Sequence, residues 1–203
     1  MKNTENTTQN DSKLRVYLGG PIQHVNDYGK GWRNRLKKNH PEIDWVDPLD
    51  KYNTMEEAES EWTAEQVVED DLRMIADCDA ILVHWQETPS CGTPMEVFFT
   101  QWFPPMADMI LNLAWDLAEE HAASKELREA FMHDAVRHHV RRVGLPLVAA
   151  ELIIGVASNM DVVVQTTVSE PSAWMTYHAD AMVETFDEAV GRLKLLEGYK
   201  QKA

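Results

Sequence analysis

The chain has 203 residues, room for one sizeable core, and its 44% hydrophobic and 26% charged residues suit a globular protein rather than a disordered one. A net charge of −15 repels polyanions, which argues against a nucleic-acid polymer or an anionic membrane as partner and suits a high-salt habitat, where repulsion is screened. No apolar run matches a membrane span or a secretory signal, and two cysteines cannot build a disulfide framework, so a soluble protein of the reducing cytoplasm is expected.

Residues 1–12 are polar and aperiodic and read as a disordered tail ahead of a single domain over 13–203. LRVYLGG (14–20) is a short apolar strand ending in a Gly-Gly-Pro turn, and residues 28–38 follow as a helix. IDWVDPLD (43–50) gives a second strand with a proline at its exit. Thr63-Ala-Glu-Gln66 is a capping box that opens a helix running to about Asp77. AILVHW (80–85) is a continuous apolar run, as in a strand buried on both faces. The loop ETPSCG leads into another helix near Pro94. From Pro104 to about Asn159 the pattern is helical, with LVAAELIIGVAS open to either a helix or a strand. MDVVVQTT (160–167) is a β-branched strand, SEPSAW a loop, AMVE (181–184) an edge strand and TFDEAVGRLKLLEG the closing helix. Strands alternating with helices predict a parallel sheet covered on both faces, with ligands bound outside the carboxyl ends of its strands.

Two carboxylates stand out at that rim. Glu96 in Thr93-Pro94-Met95-Glu96 would close a capping box begun by Thr93, with Pro94 at the first helical position. The same place suits a nucleophile, since the positive end of the helix dipole would hold a carboxylate ionised. Asp71 shares a helical face with Val67, Met74, Ile75 and Cys78, whereas Asp70 falls with Gln66, Arg73 and Asp77 on a solvated one. A lone Asp in an apolar stripe is costly unless paired or used, and partial burial would raise its pKa as a proton donor requires. Its plainer reading is a border residue reaching water.

Other residues point less sharply. Tyr17 reads by itself as strand packing. Cys91 has no base near it in sequence, which argues against a thiol nucleophile. His121, His133, His138 and His139 fit no zinc spacing, so neither a metal nor a cofactor is expected. Gly19-Gly20 is too short for a dinucleotide fingerprint, and no phosphate loop is present.

Taken together, VYLGGP (16–21), DPLDKY (47–52), EDDLRMIADCDAILV (69–83) and PSCGTPMEV (89–97) resemble, in order and spacing, the motifs of the nucleoside 2-deoxyribosyltransferase family. WMTYHADAMVETFDEAV resembles that family's closing strand and helix. The resemblance implies a flavodoxin-like three-layer sandwich with a parallel sheet of about five strands, carrying a helical insert over 104–159. It further implies that Glu96 attacks C1′ of a deoxynucleoside, that Asp71 exchanges protons with the base, and that Tyr17 orients Glu96. Gly19, Gly20, Pro21, Asp47, Asp50, Gly92, Thr93 and Met95 would line the substrate pocket. The implied partners are a deoxynucleoside or deoxynucleotide, a nucleobase, and further copies of the chain. Related hydrolases act on deoxynucleoside 5′-monophosphates, for which Lys30, Arg33 and Arg35 would have to cradle a phosphate, against a plainer reading as a solvated helix face. A rival of another class is a nucleotide-binding sensor without turnover. In the insert, Met106, Met109, Ile110, Leu113 and Leu117 fall on one stripe, expected to pack against another subunit through 104–143.

Overall fold

A computed structural model of the protein describes residues 13–22, 25–52, 54, 62–87, 92–121, 124–142, 160–169 and 171–200. The 1–12 tail, Cys91 and the ambiguous segment 147–158 lie outside these residues.

The elements run β1 (Arg15–Gly19), α1 (Lys30–Asn39), β2 (Asp44–Val46), α2 (Ala64–Ala76), β3 (Ala80–Trp85), α3 (Gly92–His121), α4 (Lys125–Arg142), β4 (Asp161–Thr166), α5 (Ala173–His178), β5 (Ala181–Val183) and α6 (Phe186–Lys200). All strand pairs are parallel, in the order β2-β1-β3-β4-β5. The expected α/β sandwich forms. One face of the sheet packs Val16, Leu18, Leu82 and Val163 against Trp32 and Leu36 of α1 and Val190 and Leu193 of α6. The other packs Tyr17, Ile81, Val83, Val162 and Val164 against Ile75 of α2, Val97 of α3 and Met175 of α5. Alternate residues of each strand feed opposite layers, which is why the central strands are apolar throughout.

The Thr63 capping box forms: its side chain accepts from Gln66 N at 3.2 Å, and Gln66 Oε1 accepts from Thr63 N at 2.9 Å. Two expectations need correction. SEPSAW is not all loop, because Ser172 Oγ accepts from Met175 N at 3.2 Å and caps α5. Six residues are too few to show a helical period. Nor does a new helix begin at Pro104. α3 runs unbroken for 30 residues through Pro104 and Pro105, although neither can donate to the preceding turn. Tertiary packing carries the helix across that weakness. Phe99 and Phe103 stack at 4.4 Å, and Phe103, Ala107 and Ala114 bury one continuous face against Val136 of α4. Over its described residues the helical insert is therefore a helix pair, α3 and α4, whose first member grows from the Glu96 helix itself. No helix among the described residues is long and apolar enough to cross a membrane.

Candidate active site

β1 and β3 are neighbours, but β2 lies beyond β1 and β4 beyond β3, so the chain reverses direction across the sheet between them. Crevices at such reversals open at the carboxyl ends of the strands. The last residues of β1 and the first turns of α3 meet there.

Tyr17, fully buried in β1, donates its hydroxyl to Glu96 Oε1 at 3.1 Å. Glu96 Oε2 is buried with no hydrogen-bond partner among the described residues. A Cβ on Gly19 would stand 3.0 Å from that oxygen, so glycine leaves the space the carboxylate occupies. Burial pushes the Glu96 carboxyl up to about 7; the Asp71 charge pushes the same way, while the Tyr17 bond and Arg33 pull back. The helix dipole was expected to hold this group ionised. Desolvation outweighs it, and Glu96 sits in the second turn, where the terminal field has faded. Because Gly92 is already helical, Thr93 lies inside the first turn rather than at the cap. Tyr17 is held well above the ordinary phenol value by burial, Glu96 and Asp71, so it remains a donor.

Asp71 projects from α2, about one-fifth exposed, with Lys51 Nζ 3.2 Å from its Oδ1. Burial raises its pKa against the pull of Lys51, and Asp70 adds to the rise. Asp70 is not simply solvated, since it shares the same ammonium at 3.4 Å. Lys51 is fixed in turn over the rings of Tyr52 and Trp62, at 5.2 and 5.1 Å.

Beneath the Gly19–Gly20 turn lies a second polar cluster. Arg33 is fully buried; its guanidinium donates to Gly29 O at 3.1 Å, Gly20 O at 3.2 Å and Leu18 O at 3.4 Å. Its Nε lies 3.4 Å from Asp47 Oδ1. Leu49 N donates to that same oxygen at 3.0 Å, and Lys37 Nζ reaches Asp47 Oδ2 at 2.7 Å. Gly29 makes room for this cation: its φ is +72°, and a Cβ there would stand 2.4 Å from Arg33 Nη1. The solvated helix face expected for Arg33 is thus corrected. Its donors hold backbone carbonyls and leave no fork for a phosphate.

Of the expected pocket residues, Gly19, Gly20 and Pro21 form the buried floor of the turn. Asp47 is engaged below it, and Asp50, 62% exposed, pairs with Lys37 at 2.6 Å. Thr93 is buried and Gly92 exposed beside Glu96. Met95 is 65% exposed and turns toward α5 rather than the crevice. The structure adds groups the sequence did not single out. Lys51 lies just beyond the DPLD run, and its aromatic bracket is spread over residues 52 and 62. His84 at the end of β3 touches Gln165 of β4, and its ring lies 5.0 Å from Trp32 and 5.1 Å from Phe186. Two polar side chains at the tips of adjacent apolar strands were the available signal. Among the described residues no group of His, Cys, Asp and Glu is arranged to hold a metal ion.

Tyr17, Glu96 and Asp71 thus stand together at one strand-end crevice. Residues 16–100 match the family model of nucleoside 2-deoxyribosyltransferase. The match runs from β1 into α3 and takes in every side chain of the Glu96 and Arg33 clusters; the α3–α4 pair lies almost wholly beyond it. No curated protein matches the chain. Among solved structures, a conserved protein from Enterococcus faecalis V583 is similar at 9% identity and a TM-score of 0.49, over 91% of this chain and 99% of that one.

Proposed function

We propose that the protein is a nucleoside 2-deoxyribosyltransferase working through a covalent deoxyribosyl–Glu96 intermediate. The observation that supports this most is the state of Glu96: one oxygen steadied by Tyr17, the other unpartnered, at the crevice where the family's motifs converge. In the first step a Glu96 oxygen bonds to C1′ and the C1′–N bond breaks. The departing base takes the electron pair and a proton from Asp71. In the second step a nitrogen of the acceptor base bonds to C1′, the C1′–O bond to Glu96 breaks, and Asp71 recovers a proton. The missing 2′-hydroxyl lowers the cost of the oxocarbenium-like transition state. Burial raises the Asp71 pKa in the sense a proton donor needs.

Hydrolysis of a deoxynucleoside 5′-monophosphate is the alternative. It is disfavoured because Arg33 is committed to backbone carbonyls and Asp47. A binding protein without turnover has no use for an unpartnered buried carboxyl beside a second acid. Incubation with deoxyadenosine or its monophosphate, with and without free cytosine, followed by chromatography, separates the three. Deoxycytidine appearing only with cytosine is the expected result. Free deoxyribose or its phosphate would mean hydrolysis, and unchanged substrate would mean a binder.

We also propose a homo-oligomer joined through the α3–α4 pair. Met106, Met109 and Leu113 stand 39%, 58% and 55% exposed on α3, while Ile110 packs into the pair's own core. The interface stripe is thus narrower than the sequence implied. Light scattering should show an assembly that Leu113→Glu breaks; a monomeric wild type refutes the interface.

A further inference from the structure

Lys51 has no part in the reaction as written above, yet it stands against the acid which that reaction uses. Its Nζ lies 3.2 Å from Asp71 Oδ1 and 3.4 Å from Asp70 Oδ2, and its side chain is 16% exposed. The rings of Tyr52 and Trp62 bracket the ammonium and meet each other edge to face at 5.4 Å. Aromatic rings carry no formal charge, so they steady a cation without cancelling it. Burial works against the ammonium, but the pull of Asp71 outweighs it, and Lys51 is held above the ordinary lysine value. It is a fixed positive charge. Asp70 beside it on α2, Glu96 of α3 and Tyr17 of β1 also lie close enough to interact with Asp71, and none of them is a cation.

The first half-reaction moves one negative charge. Before the base leaves, Glu96 is an ionised carboxylate and Asp71 carries a proton. Once C1′ is bonded to Glu96, that carboxylate has become a neutral ester. The base has left with its electron pair and the Asp71 proton, so the charge now rests on Asp71. Charge is conserved and passes from α3 to α2. A carboxylate formed there, about one-fifth exposed and beside Asp70, is costly unless a cation meets it.

We infer that Lys51 is a positioning residue for this transfer, the counter-ion that meets Asp71 as a carboxylate when the base departs. The inference rests on the transferase reading, in which Asp71 gives the base its proton. An ammonium has donors only, so the Asp71 oxygen it holds accepts, and the transferable proton sits on the other oxygen. A charge already in place where charge develops needs no rearrangement at the moment of reaction. In the second half-reaction the same pair holds the carboxylate ready for the proton of the incoming base.

Two readouts test this, one without substrate and one with it. In the full chain, the Asp71 carboxyl carbon is titrated by NMR in a Glu96→Gln background, where one acid of the pair is silent. Lys51→Met should raise the Asp71 midpoint by about one pH unit or more, and Lys51→Arg, which keeps the charge, should return it. With Glu96 present, Lys51→Met should slow transfer from deoxyadenosine to cytosine about 10- to 100-fold, in kcat rather than KM. Lys51→Arg should recover most of that rate, and Lys51→Gln, polar but uncharged, should not. An unmoved Asp71 midpoint overturns the proposal whether or not the protein is a transferase. A moved midpoint with unchanged turnover overturns it too, because the charge then has no part in the reaction. A wild type that forms no deoxycytidine brings down the transferase reading and the counter-ion role together, and the chromatogram tells that failure from the other two.

Discussion

Two buried polar clusters flank the same Gly19–Gly20 turn and differ in how far their charges are answered. Below it, Asp47 accepts from Lys37 and a backbone N–H and forms an ion pair with Arg33, whose terminal nitrogens donate to carbonyls although its Nε has no hydrogen-bond partner among the described residues. Beside it, Glu96 has one neutral hydrogen bond, an unpartnered oxygen and a second acid close enough to raise its pKa. Both acids lie in one small region of the fold, so burial alone does not mark a reactive group. The missing counter-charge is what sets Glu96 apart and is the ground for proposing it as the reacting group.

The largest effect expected from this contrast is on rate. Glu96→Ala should lower turnover by at least about three orders of magnitude, about 4 kcal/mol of barrier, with the fold intact. Near-normal turnover in a folded variant would leave Glu96 as mere packing and erase the distinction between the clusters.

Asp47→Asn should instead act on stability. It keeps the shape but leaves Arg33 buried without its counter-charge, at a cost of about 3 kcal/mol in urea unfolding. A loss of activity without a loss of stability would show that Asp47 belongs with the reacting groups.

A third consequence concerns pH. Below the ordinary glutamate value of 4.5, Glu96 is protonated whether the chain is folded or not. Between there and about 7 the unfolded chain releases its proton while the folded protein keeps it, so stability falls as pH rises across that window. Glu96→Gln cannot ionise and should be the more stable protein at pH 8 by about 3 kcal/mol, an advantage that disappears at pH 4. Parallel denaturation curves at the two pH values test the sign. A wild type that gains stability as pH rises through the window, relative to the variant, contradicts the assignment of Glu96 as the uncompensated acid.

The smallest effect separates Asp71 from Asp70. Asp71→Asn should cost about tenfold or more on poor leaving groups, because the transferable proton is gone, while good leaving groups suffer less. Asp70→Asn should change rates little, although it releases Lys51 to pair wholly with Asp71. Equal losses from both would mean that the shared Lys51, rather than the proton of Asp71, is what matters.

Strand periodicity, the Thr63 cap and the spacing of four short motifs were enough to read the parallel sheet, its order of elements and the residues that meet at its rim. Those features are local: each depends on residues a few positions apart. The partner of each charge is not local. Arg33 looks like a surface helix residue until α1 docks on the sheet and aims it at carbonyls of β1 and the carboxylate after β2. The dipole argument for Glu96 followed from its neighbours in the chain, yet its pKa is decided by burial against Tyr17 and Gly19, some 79 and 77 positions away. Pro104–Pro105 reads as a helix boundary because backbone hydrogen bonding is legible in sequence, whereas the Phe103–Val136 packing that carries α3 through it is not. Which groups are candidates for the chemistry was written in order and spacing; which of them are left without a counter-charge was settled only when distant segments closed around them and removed the water.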